Sequence, residues 1–160
     1  MMPRHPIPDE GGAELRVTAR QVEAMRKALD AALPEEGCGL LFGRGRRVER
    51  VVPIQNTQHS AVRFRLEPQA QLDAMQEADE QGLQLLAIYH SHPRGPDHPS
   101  VTDMEEAAYP QAAYLIWWQE VARRWRVQLF WLEGDENPGA TRGYRLGRIH
   151  VEAEGEGQPA

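Results

Sequence analysis

The sequence predicts a single α/β or α+β domain in which helices flank one β-sheet. The chain has 160 residues, the length of one domain with one well-buried core. Its hydrophobic share is 41% and its charged share is 26%, values typical of a globular protein. Short apolar runs with strand character outnumber the segments with helical spacing, and the two kinds are mixed along the chain.

The first predicted helix has a recognisable start and end. Thr18 and Gln21 have the spacing of a capping box, which satisfies free backbone groups at a helix N-terminus. Apolar residues then recur at helical spacing over 22–33, and Pro34 ends the helix. The preceding segment, ELRV, predicts a short strand. We therefore expect a strand followed directly by a helix that buries one face.

A hairpin and a second helix are expected next. The apolar runs 38–43 and 48–54 are joined by a turn sequence rich in Gly and Arg, a pattern that predicts two antiparallel strands. The segment RFRL then has an extended pattern. Pro68 starts a helix that Gly82 ends, and its spacing places Leu72 and Met75 on the inner face.

A buried strand and a short helix follow. Residues 83–89 form an apolar run that leads straight into a loop rich in Pro and Gly. Thr102 and Glu105 have capping-box spacing, so a short helix should begin at Asp103 and end before Pro110.

Three closing strands complete the predicted sheet. The runs 113–118, 126–132 and 144–151 each combine β-branched and aromatic residues. The tail that follows them is acidic and contains Gly, a composition typical of disordered segments. The domain should therefore span 14–151, with flexible ends at 1–13 and 152–160.

Charge and cysteine content restrict the partners and the compartment. The net charge is -6, whereas a nucleic-acid-binding protein would need a basic surface. Cys38 is the only cysteine, so no internal disulfide can form and a reducing compartment is expected. No apolar run approaches the roughly 18 residues of a membrane span, and no signal-peptide pattern opens the chain. We expect a cytoplasmic protein with neither nucleic-acid nor membrane partners; the sequence does not define its oligomeric state.

Three of the six histidines lie within ten positions, in the segment YHSHPRGPDHPSVTD at 89–103. Side chains two apart on an extended segment point the same way, so His90 and His92 can converge on one point. Asp103 adds a carboxylate at the predicted start of a helix. Two neutral imidazoles and one carboxylate leave a divalent metal one open position, which is typical of catalytic rather than structural sites. The sequence therefore predicts a metal site at His90, His92 and Asp103.

Several metal chemistries begin with such a pair of histidines. Barrel-type metal hydrolases need about 250 residues, more than this chain has. A two-metal H-x-H-x-D-H site is excluded, because Asp97 and His98 come three positions too late. A non-heme iron oxygenase uses the same ligand classes and stays an alternative. The distinguishing feature is a general base beside the metal, which a hydrolase needs.

Glu36 is the candidate for that base. The segment PEEGCGLLFG places this carboxylate at the edge of an apolar strand, an unusual position for an ionisable group. The alternative is a solvated loop residue after Pro34, and the neighbouring Glu35 fits that description better.

Two blocks of the sequence together resemble the JAMM motif of the MPN-plus (JAB/MPN) metalloproteases, in the form of the small single-domain prokaryotic members. The first block is PEEGCGLL at 34–41, and the second, some fifty residues on, is HSHP-x6-S-x2-D at 90–103. Asn56 and the RFRL segment also resemble the intervening pattern of those members. The resemblance covers roughly residues 14–135, which is most of the chain.

The resemblance implies a cytidine-deaminase-like α/β fold, the MPN fold, with a curved mixed β-sheet flanked by helices. It also implies that His90, His92 and Asp103 bind Zn²⁺. Glu36 would act as the general base toward the attacking water, and Ser100 would stabilise the tetrahedral oxyanion.

The implied activity is that of a zinc metallo(iso)peptidase that cleaves an amide or isopeptide bond. The substrate would be the C-terminal tail of a ubiquitin-like or sulfur-carrier protein. An amidase acting on small or cell-wall peptides and a metal-binding interaction module remain alternatives. His98 is expected at the rim of the site, and Cys38 is expected to pack behind it and not to act as a nucleophile.

Overall fold

The computed structural model describes residues 14–109, 111–133 and 143–153. In chain order the elements are β1 (Glu14–Thr18), α1 (Ala19–Ala32), β2 (Cys38–Arg44), β3 (Arg47–Ile54), α2 (Pro68–Glu80), β4 (Gln84–His92), α3 (Val101–Glu106), β5 (Ala113–Gln119), a 3-10 turn (Val121–Arg123), β6 (Trp125–Glu133), β7 (Gly143–Leu146) and β8 (Arg148–Glu152).

The eight strands of the described residues form one mixed sheet in the order β7-β6-β5-β4-β2-β3-β1-β8. The predicted hairpin is present, because β2 and β3 are antiparallel neighbours. At the centre of the sheet, β4 is antiparallel to β2 and parallel to β5. Helices flank this sheet, so the predicted α/β fold with a mixed sheet is confirmed.

The sheet must curve strongly, because β7 and β8 occupy its opposite ends and only Gly147 separates them. Residues two apart can be no more than about 7 Å from each other. The Gly147 N–H donates to the Leu129 carbonyl at 2.8 Å, and the Gln128 amide donates to the Gly147 carbonyl at 2.8 Å. The prediction of one strand over 144–151 is therefore wrong: the glycine divides it into two strands at the two ends of the sheet.

One face of the sheet packs against α1. Met25 and Leu29 of this helix are fully buried in one core cluster with Leu41, Tyr89 and Leu115 from the central strands. Burial of each large apolar side chain contributes about 1.5–3 kcal/mol.

The predicted capping box of α1 is confirmed. The Gln21 N–H donates to Thr18 Oγ1 at 3.1 Å, and the Thr18 N–H donates to Gln21 Oε1 at 2.9 Å. These reciprocal bonds satisfy two backbone donors at the helix N-terminus.

The other face of the sheet packs against α2, but through smaller side chains than predicted. Ala74 and Ala78 are the buried residues of this helix, and Met75 is half-buried. Leu72 is 50% exposed, so its predicted inward position is wrong. A helix turns about 100° per residue, which places Leu72 about 200° from Ala74 and therefore on the outer side.

The start of α3 also differs from the prediction. The sequence predicts a helix that begins at Asp103 with Thr102 as its cap, whereas Ser100 is the N-cap and the helix spans Val101–Glu106. Ser100 Oγ accepts a hydrogen bond from the Asp103 N–H at 3.0 Å, and Asp103 Oδ2 accepts one from the Ser100 N–H at 2.9 Å. The Thr102–Glu105 capping box is therefore wrong, because an Asp at the third helical position completes the box with Ser100.

The C-terminal boundary needs a similar change. The sequence predicts Glu152 in a flexible tail, but this residue is the last one of β8, and its buried carboxylate lies 3.2 Å from the Arg47 guanidinium. The segments 1–13 and 154–160, which the sequence predicts to be flexible, lie outside the described residues. Within the described ranges, no helix combines the length and the apolar character that crossing a bilayer requires.

Candidate metal centre and active site

The two histidines of the predicted metal site lie at the end of β4. They alternate with Ser91 along the strand, so both rings project from the face of the sheet that carries α2 and α3. His90 Nε2 and His92 Nε2 are 3.0 Å apart, and Asp103 Oδ2 of α3 is 3.1 Å from each of them. All three side chains are buried. The fold therefore brings together the three residues that the sequence singles out.

This triangle fits a divalent metal. In a tetrahedral zinc site with bonds of about 2.0–2.1 Å, neighbouring ligand atoms lie roughly 3.3 Å apart, close to the distances found here. His92 Nδ1 is 2.7 Å from the Pro96 carbonyl oxygen, which can only accept, so Nδ1 carries the proton. In the neutral ring Nε2 then carries the lone pair, which a cation would bind together with the Asp103 carboxylate.

The protonation of the candidate ligands also suits a cation. Burial lowers the pKa of His90, which keeps its ring neutral at pH 7. Burial alone would raise the pKa of Asp103, but its interaction with His90, together with hydrogen bonds from His92 and the Ser100 backbone, holds that pKa well below its usual range. Burial alone would lower the pKa of His92, but the hydrogen bond and charge of Asp103 raise it, so a cation that binds there displaces a proton. The site therefore offers a neutral nitrogen donor at His90, an ionised carboxylate at Asp103 and a second imidazole whose proton a metal would replace.

Glu36 lies beside the triangle, just before β2. One of its carboxylate oxygens is within 4.8 Å of ring nitrogens of both His90 and His92, and the side chain is buried. Its Oε1 has no hydrogen-bond partner among the described residues. Burial raises the pKa of Glu36 to about 8; His92 opposes this increase, and the nearby Asp103 charge adds to it. A carboxyl group with such a pKa can accept and return a proton near neutral pH.

Ser100 is adjacent to the Asp103 carboxylate. Its N–H donates to Asp103 Oδ2, the oxygen that faces both histidines. Its hydroxyl accepts from the Asp103 N–H at 3.0 Å, which leaves the hydroxyl proton available to another acceptor.

Two residues with no role in the sequence-based prediction support the site. Ser91 clamps the segment that carries Glu36, because Gly37 N–H donates to Ser91 Oγ at 2.8 Å and Ser91 N–H donates to the Gly37 carbonyl at 3.0 Å. Phe64 stacks on His90 with ring centroids 4.3 Å apart and an interplanar angle of 23°. The role of Ser91 could have been suspected from the sequence, because it is a polar residue between two histidines of a buried strand. The contact of Phe64 with His90 depends on tertiary structure and has no signal in the sequence.

A cleft of about 540 Å³ adjoins Asp103. The segment 63–66 forms one wall, and α3 with the start of α2 forms the others. An ion pair between Arg63 and Glu106, 2.9 Å long, joins two of these walls. A ligand bound in this cleft would therefore lie beside Asp103 of the metal triangle.

The neighbouring candidates have other environments. Glu35 is half-buried, and its carboxylate lies 3.4 Å from His59 Nδ1. His98 is exposed, and its ring stacks against that of Tyr144 with centroids 6.4 Å apart. Cys38 is buried, and burial raises the pKa of its thiol to about 12, so it is not a thiolate at neutral pH.

Comparison with known proteins agrees with this geometry. Residues 18–128 match the model of a family described as prokaryotic homologs of the JAB domain. The chain belongs to this prokaryotic JAB family. The matched range contains Glu36 and the whole segment from His90 to Asp103, so the JAB/MPN resemblance of the two sequence blocks is confirmed.

Several relatives of this prokaryotic JAB chain are similar over most of their length. A probable TtuB-protein conjugate cleaving protease of Thermus thermophilus is 43% identical over 66% of this chain and 70% of that protein. A desampylase of Pyrococcus furiosus is 34% identical over 65% and 74%. A CysO-cysteine peptidase of Mycobacterium bovis is 36% identical over 64% and 71%.

A solved structure shares the same fold. The solution structure of a protein from Desulfitobacterium hafniense superposes with a TM-score of 0.76 at 33% identity, and the match covers 88% of this chain and 94% of that one.

Proposed function

We propose that the protein is a zinc-dependent hydrolase that cleaves the amide or isopeptide bond after the C-terminal tail of a ubiquitin-like or sulfur-carrier protein. The observation that carries this proposal is the triangle of His90 Nε2, His92 Nε2 and Asp103 Oδ2 at 3.0–3.1 Å, with the buried Glu36 carboxylate beside it. Three protein ligands leave a tetrahedral metal one open position, as hydrolysis requires.

The chain's own residues supply the proton transfers. A bound zinc ion would contribute Lewis-acid activation of water and of the scissile carbonyl. Glu36 takes a proton from the attacking water and delivers it to the leaving amine. The Ser100 hydroxyl donates a hydrogen bond to the developing oxyanion. The bond from His92 Nδ1 to the Pro96 carbonyl keeps that ring oriented throughout.

The relatives support the substrate class. Two of their names describe cleavage of an adduct, a TtuB–protein conjugate and a CysO–cysteine. Cleavage of either adduct requires hydrolysis of a bond to a carrier protein. The amine that leaves belongs to a second protein in the first adduct and to an amino acid in the second. The proposed activity of this chain is the same kind of hydrolysis.

The cleft wall supports binding of an extended tail. Residues 65 and 67 direct their backbone groups toward 55–57, because Thr57 N–H donates to the Arg65 carbonyl at 2.9 Å and Glu67 N–H to the Gln55 carbonyl at 3.0 Å. Leu66 forms an isolated antiparallel bridge with Asn56, and its own backbone groups point away from that pairing. A substrate tail can add to this segment as a further strand. Glycines at the end of the tail would let the scissile carbonyl approach the buried metal.

The metal content tests the proposal. Protein purified without added metal should contain one zinc ion per chain by elemental analysis, and the zinc-loaded protein should hydrolyse a carrier amide in the absence of oxygen. Iron as the dominant metal, with turnover that needs oxygen, would instead support the non-heme iron oxygenase alternative.

A further inference from the structure

Asn56 is a buried polar residue whose side chain makes four hydrogen bonds. Its Nδ2 donates to the carbonyl oxygens of Glu36 and Arg63, both at 3.0 Å. Its Oδ1 accepts from the N–H groups of Gln58 and Arg65, again both at 3.0 Å. The residue is 6% exposed. An amide has two donors and two acceptor lone pairs, so every position of this one is used.

These four bonds join the two parts of the proposed active site. One reaches the backbone of Glu36, and the Glu36 N–H also donates to the Ser60 carbonyl at 2.7 Å. The 56–60 segment therefore holds both backbone groups of Glu36. Two other bonds reach the residues on either side of Phe64, whose ring stacks on His90.

We infer that Asn56 is a positioning residue that sets the place of the Glu36 carboxylate relative to the metal triangle and to the cleft wall. This inference rests on the proposed function. Glu36 Oε1 has no hydrogen-bond partner among the described residues, whereas the bonds to the Glu36 N–H and carbonyl fix the backbone from which its side chain extends. A displacement of about 1 Å at a catalytic group can lower the rate about 10²-fold.

Asn56→Asp separates the two halves of this network. The aspartate keeps an oxygen for the N–H groups of Gln58 and Arg65, but an ionised carboxylate cannot donate to the carbonyls of Glu36 and Arg63. Thr57→Val is the matched control. It removes the hydroxyl hydrogen bond to the Arg65 carbonyl, 3.3 Å long, from the same segment without touching Glu36.

Asn56→Asp should lower the rate of hydrolysis by displacing Glu36. At full metal occupancy, Asn56→Asp should lower kcat about 10-fold to 100-fold, whereas Thr57→Val should change it less than about threefold. The same substitution should then be made in the Glu36→Gln variant and measured in single-turnover reactions. There Asn56→Asp should lower the rate less than about threefold further, because the effects of two residues that act as a unit are not additive. An equal proportional loss in both backgrounds, or a kcat within about twofold of the unsubstituted protein, would overturn the inference.

A measurement without substrate separates this inference from the proposed function. Amide hydrogen exchange of Glu36 in the metal-loaded protein should be about tenfold faster in Asn56→Asp than in Thr57→Val, because its carbonyl anchor is lost. If the unsubstituted protein cleaves no carrier conjugate, the proposed function fails and the exchange rate alone decides the role of Asn56. Equal exchange in the two variants contradicts that role.

Discussion

Replacing Glu36 with glutamine should lower the rate of hydrolysis about 10²–10⁴-fold, the usual contribution of general acid–base catalysis. Glutamine has nearly the same shape but cannot accept the proton of the attacking water. The bound metal should remain, because His90, His92 and Asp103 keep their mutual distances of 3.0–3.1 Å. Steady-state kinetics and metal analysis of the same preparation measure both effects.

Glu35→Gln is the matched control for this variant. Glu35 is the adjacent carboxylate, but it is half-buried and faces His59 rather than the metal triangle. Its substitution should change the rate less than about threefold. Equal losses from the two variants would show that Glu36 is not the base, and loss of the metal from Glu36→Gln would make Glu36 a ligand instead.

Asp103→Asn should remove most of the bound metal and with it the hydrolytic activity. The substitution takes away the one negative charge of the triangle while preserving the size of the side chain. Loss of a partner outside the ligand shell typically lowers metal affinity about 10–100-fold, so loss of a ligand should lower it by more than about 100-fold. Titration with zinc against a competing chelator measures the change.

The control for the ligand variant is His98→Asn. His98 lies in the loop between β4 and α3, five residues before Asp103, and its exposed ring contacts Tyr144 and Asp97 rather than the triangle. This variant should bind zinc as tightly as the unsubstituted protein. If His98→Asn lost metal while Asp103→Asn retained it, the ligand set would be wrong.

The candidate site is predictable from the sequence because its members lie on local patterns. His90 and His92 alternate on one extended strand, and their convergence follows from the two-residue period of that strand. The sequence also predicts Asp103 near the start of a helix, although the predicted first residue of that helix is wrong. Asp103 is the third helical residue, and its carboxylate is held by the N–H of the Ser100 cap.

The remaining features depend on contacts between distant segments. The hydrogen bonds of Asn56 reach Glu36 and Arg63, and no spacing in the chain indicates that these backbone groups meet. Division of the last predicted strand depends on the curvature of the sheet, which brings its two ends together at Gly147. The predicted position of Leu72 is wrong because alanines, and not the larger apolar residues, face the sheet from α2.

The most direct test of the central claim is to incubate the zinc-loaded protein with the carrier conjugates of its host and to identify the products by mass spectrometry. We expect release of a small carrier protein ending in Gly-Gly, together with a lysine-bearing protein or free cysteine. Release should stop on addition of a chelator and fail when the tail glycines are replaced by bulky residues. Carrier conjugates that survive intact while short cell-wall peptides are cut would contradict the proposed function and favour the amidase.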